Sequence, residues 1–295
     1  MKEISATIVA DSINQHGCRL TTFIVTFPRF ILAEFNTHRM FSRNSASSRA
    51  RPFKVMLKDV QETPFIPIRW MSAHKGMQGD SYLEGAEAEA ATVKWLAARD
   101  AAVAAAIELD KLNVTKQFVN RLLEPFLWHQ VIVTATDFEN FFALRAHPDA
   151  EIHVCLLAER MLQAYNASTP QRLSAGEWHV PFHDQFDEAK IAALVTSDGP
   201  DAEMIKREIA CARCARLSYK AFGSEDAYDY AADRKLFKSL VDSCHMSPLE
   251  HCARSMTVEE WNKTVNGYCG NFRGFIQYRK MFVEENRSDA RVIAK

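Results

Sequence analysis

The chain has 295 residues and nearly balanced charge, with 36 lysines and arginines against 37 aspartates and glutamates, and 47% of its residues are hydrophobic. A chain this long and this apolar can bury a sizeable core, which excludes a disordered regulator. The net charge of −1 argues against a general nucleic-acid coat protein but leaves room for a local anion site. No stretch approaches the ~20 apolar residues of a membrane span, and residues 1–7 lack the apolar core of a signal peptide. We therefore expect a soluble, cytoplasmic protein without a membrane or nucleic-acid partner.

The first segments of the chain alternate in the manner of a β-sheet. Residues 5–10 and 20–27 are rich in β-branched and aromatic side chains, which predicts two antiparallel strands. Pro28 ends the second strand, and residues 29–39 can then form a helix with an apolar inner side. The small polar residues at 42–49 predict a structured loop.

Most of the remaining elements are predicted to be helices, because apolar side chains recur at spacings of three and four. Proline and glycine mark long connections at 64–85 and 170–181. The predicted helices are 84–112, 118–123, 132–144, 150–165, 202–216 and 233–243. Together these patterns predict an α+β chain with more helix than strand.

Between Asn36 and Lys58 the chain has no acidic residue, but it has six arginines and lysines together with His38 and several serines. Short hydroxyls and loop N–H groups beside guanidinium groups are what a phosphate monoester requires. The stretch therefore predicts a bound mononucleotide. The alternative is a solvated basic face without a ligand, and the charge pattern alone favours the two equally.

Two further clusters invite a chemical interpretation. The segment 244–252 holds two histidines, two cysteines and a glutamate, and Cys211 and Cys214 could supply the other half of a zinc site. Because a spacing of three is common on one face of a helix, this signal is weak, and we expect no metal. Asn140 and Arg145 lie on an otherwise apolar predicted helix, where one polar ligand would satisfy both.

The basic stretch resembles the signature of the flavin-dependent thymidylate synthases, which reads Arg-His-Arg, seven residues, then Ser, with Arg two positions further on. Here Thr37-His38-Arg39 is followed after seven residues by Ser47 and then by Arg49. The spacing matches in full, and Thr37 replaces the first arginine. Residues 120–125 and 141–145 are similar to later motifs of the family.

The family element that normally precedes the signature is found here at the other end of the chain. Residues 214–219 read Cys-Ala-Arg-Leu-Ser-Tyr, and residues 245–251 read His-Met-Ser-Pro-Leu-Glu-His. The chain therefore resembles a permuted member, a single catalytic domain over 1–295 in which the segment 205–280 completes the FAD site. Residues 271–279 also resemble the helix that the family places just before its signature, where 29–39 already stands.

The resemblance implies a role for each matching residue. The fold implied is α+β, a central, mostly antiparallel sheet with a helical portion. Arg39, Arg145 and His251 are implied to be catalytic, with His251 against the isoalloxazine and an arginine stabilising negative charge on the pyrimidine. The residues implied to bind FAD are His38, Arg39, Ser42, Asn140, Ser218 and His251. Those implied to bind the nucleotide are Ser47, Arg49, Arg121, Arg145, Arg273 and Gln277.

The implied reaction is the methylation of dUMP to dTMP, with FAD as the cofactor and NADPH and methylene tetrahydrofolate as co-substrates. No cysteine lies in a nucleophile-like setting, which agrees with that chemistry. A homotetramer is implied as well. The alternatives are a sister reaction, such as hydroxymethylation of dUMP or methylation or hydroxymethylation of dCMP, and a non-catalytic nucleotide-binding homologue.

Overall fold

The computed structural model describes residues 2–75, 79, 81–217 and 229–286. The strands in this part of the chain are β1 (Ser5–Asn14), β2 (Arg19–Pro28), β3 (Ser42–Ser45), β4 (Trp128–Ala135), β5 (Gln171–Leu173), β6 (Trp178–His179), β7 (Ala253–Ser255), β8 (Tyr268–Cys269), β9 (Phe272–Arg273) and β10 (Phe275–Gln277).

The α-helices are α1 (Leu32–Phe35), α2 (Phe53–Glu62), α3 (Gly85–Lys111), α4 (Lys116–Val119), α5 (Glu139–Arg145), α6 (Ile152–Ala167), α7 (Glu188–Ala192), α8 (Ala202–Arg216), α9 (Tyr230–Asp242) and α10 (Val258–Asn262). Short 3-10 turns are formed by Arg29–Ile31, Asn120–Phe126, His183–Gln185, Ser247–Glu250, Tyr278–Met281 and Val283–Asn286. Within the described residues no helix is long and apolar enough to span a bilayer.

The main sheet has five strands in the order β3-β4-β2-β1-β5. Its neighbours are antiparallel except for β1 and β5, which run parallel. A second sheet joins β10, β7 and β6, and β8 pairs with β9. The α+β class and the mostly antiparallel sheet are therefore confirmed, as are the first two strands and the helices over 84–112, 150–165, 202–216 and 233–243.

The two faces of the main sheet differ in polarity. One face, carrying Phe23, Val25 and Val131, packs in an apolar core against α5 and α6. The other face carries Ile24 and Ile132 against α8. It also carries polar side chains, which are described below. Because each buried large apolar side chain contributes about 1.5–3 kcal/mol, the first face supplies much of the stability of this half of the molecule.

The sequence prediction was wrong in two segments near the signature. Residues 132–144 were predicted to be mostly helix, but they contain the end of β4, a turn and then α5. The central strand β4 has apolar residues on both faces, and such a run cannot be distinguished from a helix by its periodicity. Residues 42–49 were predicted to be a loop, but Ser42–Ser45 pairs with β4 as an edge strand.

Two predicted helices also differ from the structure. Over 29–39 only a 3-10 turn and the single turn of α1 form, and Thr37 Oγ1 donates to the carbonyl of Glu34 at 2.7 Å, competing with the helical pattern. Residues 271–279 form β9, β10 and the start of a 3-10 turn, with no α-helix. Gly274 has φ of +75°, and a Cβ there would lie 2.5 Å from Asn14 Nδ2. Asn14 Nδ2 donates to the carbonyl of Gly274 at 2.6 Å, which ties this segment to the β1–β2 turn.

Candidate functional site

The edge strand β3 brings the signature segment against the motif at residues 245–251. Ser42 lies opposite Thr134 of β4, and the 3-10 turn Ser247–Glu250 packs beside β3. His251, which follows that turn, has Nδ1 2.8 Å from Thr134 Oγ1. Two segments more than 200 positions apart in the chain therefore meet on one strand pair.

A second bridge between the two segments runs through Ser42. Its hydroxyl oxygen accepts from Asn271 Nδ2 at 3.0 Å and from Gln277 Nε2 at 3.1 Å. Gln277 Nε2 also lies 2.8 Å from Asn271 Oδ1. Ser42 and Gln277 are both buried. The structure thus brings together one predicted FAD residue and one predicted nucleotide residue, and in this conformation they bind each other.

A buried line of polar side chains crosses the second face of the sheet; we name it the His251 chain. Its links are Ser12 Oγ to His179 Nδ1 (2.9 Å), His179 Nε2 to Thr22 Oγ1 (2.8 Å), Thr22 Oγ1 to Thr134 Oγ1 (2.7 Å), and Thr134 to His251. Sequence reasoning did not assign Ser12, Thr22 or His179 to the site. The signal available was the presence of threonines inside otherwise apolar strands.

Both histidines of the His251 chain are neutral at physiological pH. Burial lowers the pKa of His251 to about 3, and the neighbouring His179 adds to the effect. Burial likewise lowers the pKa of His179 to about 3. His251 Nε2 is buried and has no hydrogen-bond partner within the described part of the chain. A buried polar atom without a partner is costly, so this nitrogen is a candidate contact for a ligand.

Just before β3 in the chain, a more open group forms around Arg145; we name Thr37, His38 and Arg145 the Arg145 cluster. Arg145 Nε donates to His38 Nε2 at 3.1 Å, and its Nη2 lies 3.5 Å from Thr37 Oγ1. His38 packs edge-on against Phe141, with ring centroids 4.8 Å apart. The two predicted ligand-binding residues His38 and Arg145 are thus in direct contact.

Burial and two arginines keep His38 neutral, and Arg145 fixes its tautomer. Burial lowers its pKa to about 4, and the positive charges of Arg145 and Arg43 add to this shift. Because the guanidinium can only donate, His38 Nε2 is an acceptor, and the proton of the neutral imidazole is on Nδ1. His38 therefore presents an N–H donor beside the guanidinium of Arg145.

Asn120 fixes the backbone of the predicted phosphate loop. Its side-chain amide donates to the carbonyls of Ser48 (2.6 Å) and Arg51 (3.0 Å). Ser47 is half-buried, and Arg49 is exposed. The loop is thus ordered by backbone contacts, while the two predicted phosphate ligands retain access to solvent.

The other predicted residues are not drawn into these groups. Arg39, Arg121 and Asn140 are exposed. The exposure of Asn140 removes the expected cost of burying it, and Arg145 has His38 as a partner. Arg273 is exposed, with Nε donating to the carbonyl of Asn266 at 3.1 Å. Ser218 lies outside the described residues.

Cys211 and Cys214, which could supply half of a zinc site, lie inside the protein. Both are buried in α8, and Cys211 Sγ lies 3.7 Å from Cys252 Sγ. Burial raises the pKa of the Cys211 and Cys214 thiols well above the usual value, which keeps them protonated. Among the described residues no group of three or more His, Cys, Asp or Glu side chains is placed to hold a metal ion.

Two unpartnered polar atoms on the polar face are candidates to contact a flavin. His251 Nε2 and Asn44 Oδ1 are both buried without a partner in the described ranges. Asn44 lies opposite Ile132 and so shares the face of Ser42 and Thr134. An isoalloxazine edge, which carries both donors and acceptors, matches this pair. The imidazole of His251 itself is fully buried, so its contact with such a group would be through Nε2.

Comparison with known proteins adds little to these observations. No family model and no curated protein matches the chain. The chain is similar to two crystal structures of the UMP/dUMP methylase PolB from Streptomyces cacaoi. The one bound with 5-bromo-UMP is 16% identical over 56% of this chain and 89% of that chain, with a TM-score of 0.44. The one bound with 5-bromo-dUMP is 15% identical over 56% and 90%, with a TM-score of 0.45. At this level the likeness carries no conclusion about function.

Proposed function

We propose that this protein is a flavin-dependent methyltransferase that converts dUMP to dTMP with methylene tetrahydrofolate and NADPH. The observation that carries the proposal is that two C-terminal segments resembling the family, 245–251 and 271–279, meet the signature strand β3 and its neighbour β4, through His251–Thr134 and Gln277–Ser42. These segments match a family signature in permuted order, and a permuted enzyme requires them to converge in space.

The Arg145 cluster is proposed to hold the pyrimidine. Position C5 of uracil is a weak nucleophile, and its reaction with a one-carbon electrophile places negative charge on the ring carbonyls. A guanidinium and a fixed N–H donor stabilise such charge without reorganising. Arg145 supplies the first, and His38, which is assigned to the flavin below, places its Nδ1–H beside that guanidinium. Burial lowers the pKa of Arg43, and the charge of Arg39 lowers it further. Arg39 therefore adds positive charge to this region.

The phosphate of the nucleotide is proposed to bind at Ser47 and Arg49, on the loop that Asn120 holds. Arg121, Arg273 and Gln277 complete the nucleotide-binding set. The exposed members of this set lie on three separate elements: the loop after β3, the 3-10 turn Asn120–Phe126 and β9. We therefore propose a homotetramer in which neighbouring subunits share ligands.

FAD is proposed to be held by His38, Arg39, Ser42, Asn140, Ser218 and His251. When bound, it would relay the carbon and the reducing equivalents to the base. In this arrangement the neutral His251 offers Nε2 to the flavin, and Thr134 holds its ring in place. Asn271 and Gln277 fix the hydroxyl of Ser42, which is proposed to support the flavin from β3.

Product analysis tests the proposal. The purified protein is incubated with dUMP or dCMP, methylene tetrahydrofolate and NADPH, and the nucleotides are separated by chromatography with mass detection. We expect dTMP from dUMP only. Visible absorbance of oxidised flavin, either on purification or after reconstitution with FAD, is expected as well.

One observation favours a sister reaction as the second candidate. Thr37 replaces the family arginine, and its hydroxyl donates to the carbonyl of Glu34. A hydroxymethylated product, or turnover of dCMP, would assign the chain to that reaction. A protein that binds nucleotide but neither carries nor accepts flavin would be a non-catalytic homologue.

A further inference from the structure

A cavity of about 290 Å³ lies beside the start of β4, and none of the residues predicted to bind FAD or nucleotide lines it. We name it the β4 cavity. Its lining is Lys2, Thr26, Arg29, Ala46, Ser48, Arg51, Met56, Asp59, Leu127, Trp128, His129, Gln130 and Leu217. Gln130 is four positions from Thr134 along the strand, or about 13 Å. The volume far exceeds that needed by a water molecule and approaches the lower limit of small-molecule sites.

The tautomer of His129 is fixed by its neighbour. Arg29 Nη1 lies 3.1 Å from His129 Nδ1, and a guanidinium can only donate. Nδ1 is therefore the acceptor, and the imidazole proton is on Nε2. Burial, followed by the charges of Arg29 and Arg51, lowers the pKa of His129 to about 3, so the ring is neutral.

Two buried N–H donors on residues that line this cavity lack acceptors. His129 is 4% exposed, and neither its Nε2 nor Arg29 Nε has a hydrogen-bond partner among the described residues. The remaining nitrogens of Arg29 are engaged: Nη1 also donates to the carbonyl of Ala46 at 3.3 Å, and Nη2 lies 3.1 Å from Glu124 Oε1. Two buried donors without acceptors point to a ligand that brings oxygen atoms.

The charges around the cavity indicate which oxygen-bearing group fits. Arg51 donates to Asp59 at 2.6 Å, and Lys2 Nζ lies 3.6 Å from the same carboxylate. Arg29 is paired with Glu124. Three cations are thus set against two carboxylates, which leaves one positive charge. A single residual charge with two N–H donors matches a monoanion with two oxygens better than a phosphate dianion.

We propose that the β4 cavity binds a small organic carboxylate, whose two oxygens accept from Arg29 Nε–H and His129 Nε2–H. The body of the ligand lies against Trp128 and the aliphatic side chains of Met56 and Leu217. The site shares none of the residues assigned to flavin or nucleotide, although Ala46 and Ser48, which line it, flank Ser47 of the proposed phosphate loop.

Calorimetry on the full chain tests the site, with benzoate as the carboxylate probe and benzamide and inorganic phosphate as comparisons. We expect benzoate to bind, benzamide not to bind, and phosphate to bind more weakly than benzoate. Long-range proton–nitrogen NMR is expected to show the Nε2–H tautomer of His129 and a shift of this signal on addition of benzoate. Absence of benzoate binding, or a shift confined to other histidines, would overturn the proposal. Tighter binding of phosphate would overturn the assignment to a carboxylate.

Paired variants separate the donor from the fold. His129→Phe keeps a ring but removes the donor, and we expect at least a tenfold loss of benzoate affinity. His129→Gln, which can place an amide N–H near Nε2, is expected to retain affinity within a few fold. Arg160→Ala, on the exposed side of α6, is the matched control. Arg145→Ala is expected to leave benzoate binding unchanged, so that the two proposals fail independently. Equal affinities for His129→Phe and the wild type would sink the proposed site.

Discussion

The Arg145 cluster and the His251 chain each contain a motif histidine that is neutral, but for different reasons. His38 is half-buried, and two arginines add to the effect of burial on its pKa. His251 is fully buried, and its additional influence is another histidine. Two arginines near an accessible imidazole favour the binding of an electron-rich ligand. An imidazole sealed within a line of hydroxyls is instead held in position, so one motif is suited to contact the substrate and the other to orient the site.

The largest expected effect is at Arg145. Arg145→Ala removes the guanidinium proposed to bind the pyrimidine, and we expect loss of measurable dUMP binding, at least ~1,000-fold or about 4 kcal/mol. The fold is expected to survive because the side chain lies at the C-terminal end of α5, partly exposed. Calorimetry with dUMP measures the loss, with Arg160→Ala as the control. Unchanged dUMP affinity would remove Arg145 from the site.

At His251 we expect an effect on stability. His251→Ala leaves a cavity and deprives Thr134 of its partner, which is expected to lower the free energy of unfolding by about 3 kcal/mol. Urea denaturation measures this, and Arg145→Ala should change it by less than about 0.5 kcal/mol. If the two variants lose equal stability, the contrast between the two regions fails.

Acid is expected to destabilise the fold through its buried histidines, and the His251 chain contributes two of them. His179 and His251 have folded-state pKa values of about 3, below the usual 6.5. The unfolded chain therefore binds more protons between these values, so stability is full above pH 6.5 and is lost as the pH falls toward 3. Between pH 6.5 and pH 5 each histidine is expected to cost about 2 kcal/mol. Unfolding free energies at pH 7, 6 and 5 should show a shallower slope in His179→Gln than in the wild type. Parallel slopes would contradict this prediction.

The smallest expected effect is at the link between the strands. Thr134→Val keeps the shape of the side chain but removes the hydroxyl between Thr22 and His251, and we expect a loss of about 1–2 kcal/mol. Thr7→Val, at an exposed position of β1, is the matched control and should change stability by less than about 0.5 kcal/mol. Equal losses in the two variants would show that the His251 chain has no stabilising role.

The sequence predicted the elements whose patterns are local. The β1–β2 hairpin and α3, α6 and α8 follow from alternation or helical periodicity over many residues. It failed at β4, where apolar residues on both faces hide the period of two, and at 271–279, where Gly274 in the left-handed region diverts the chain into short strands.

The candidate site was predicted in part for a related reason. The resemblance identified His38, Arg145 and His251 from motif spacing, and these side chains lie on or beside β3 and β4. Ser12, Thr22 and His179 were missed because their hydrogen bonds join residues 112 to 167 positions apart, which no local pattern encodes. The β4 cavity was missed for the same reason, since Arg29 and His129 are 100 positions apart.

The hydrogen bond from Asn14 to the carbonyl of Gly274 spans 260 positions of the chain. During synthesis the β1–β2 hairpin leaves the ribosome long before Gly274 is added. The polar face of β2 and β4 remains exposed until residues 251–277 emerge, because these residues include partners of Asn14, Ser42 and Thr134. Contacts of such length slow folding and expose apolar surface in the interval. The order of motifs along this chain therefore delays completion of the polar face until residues 251–277 have been made.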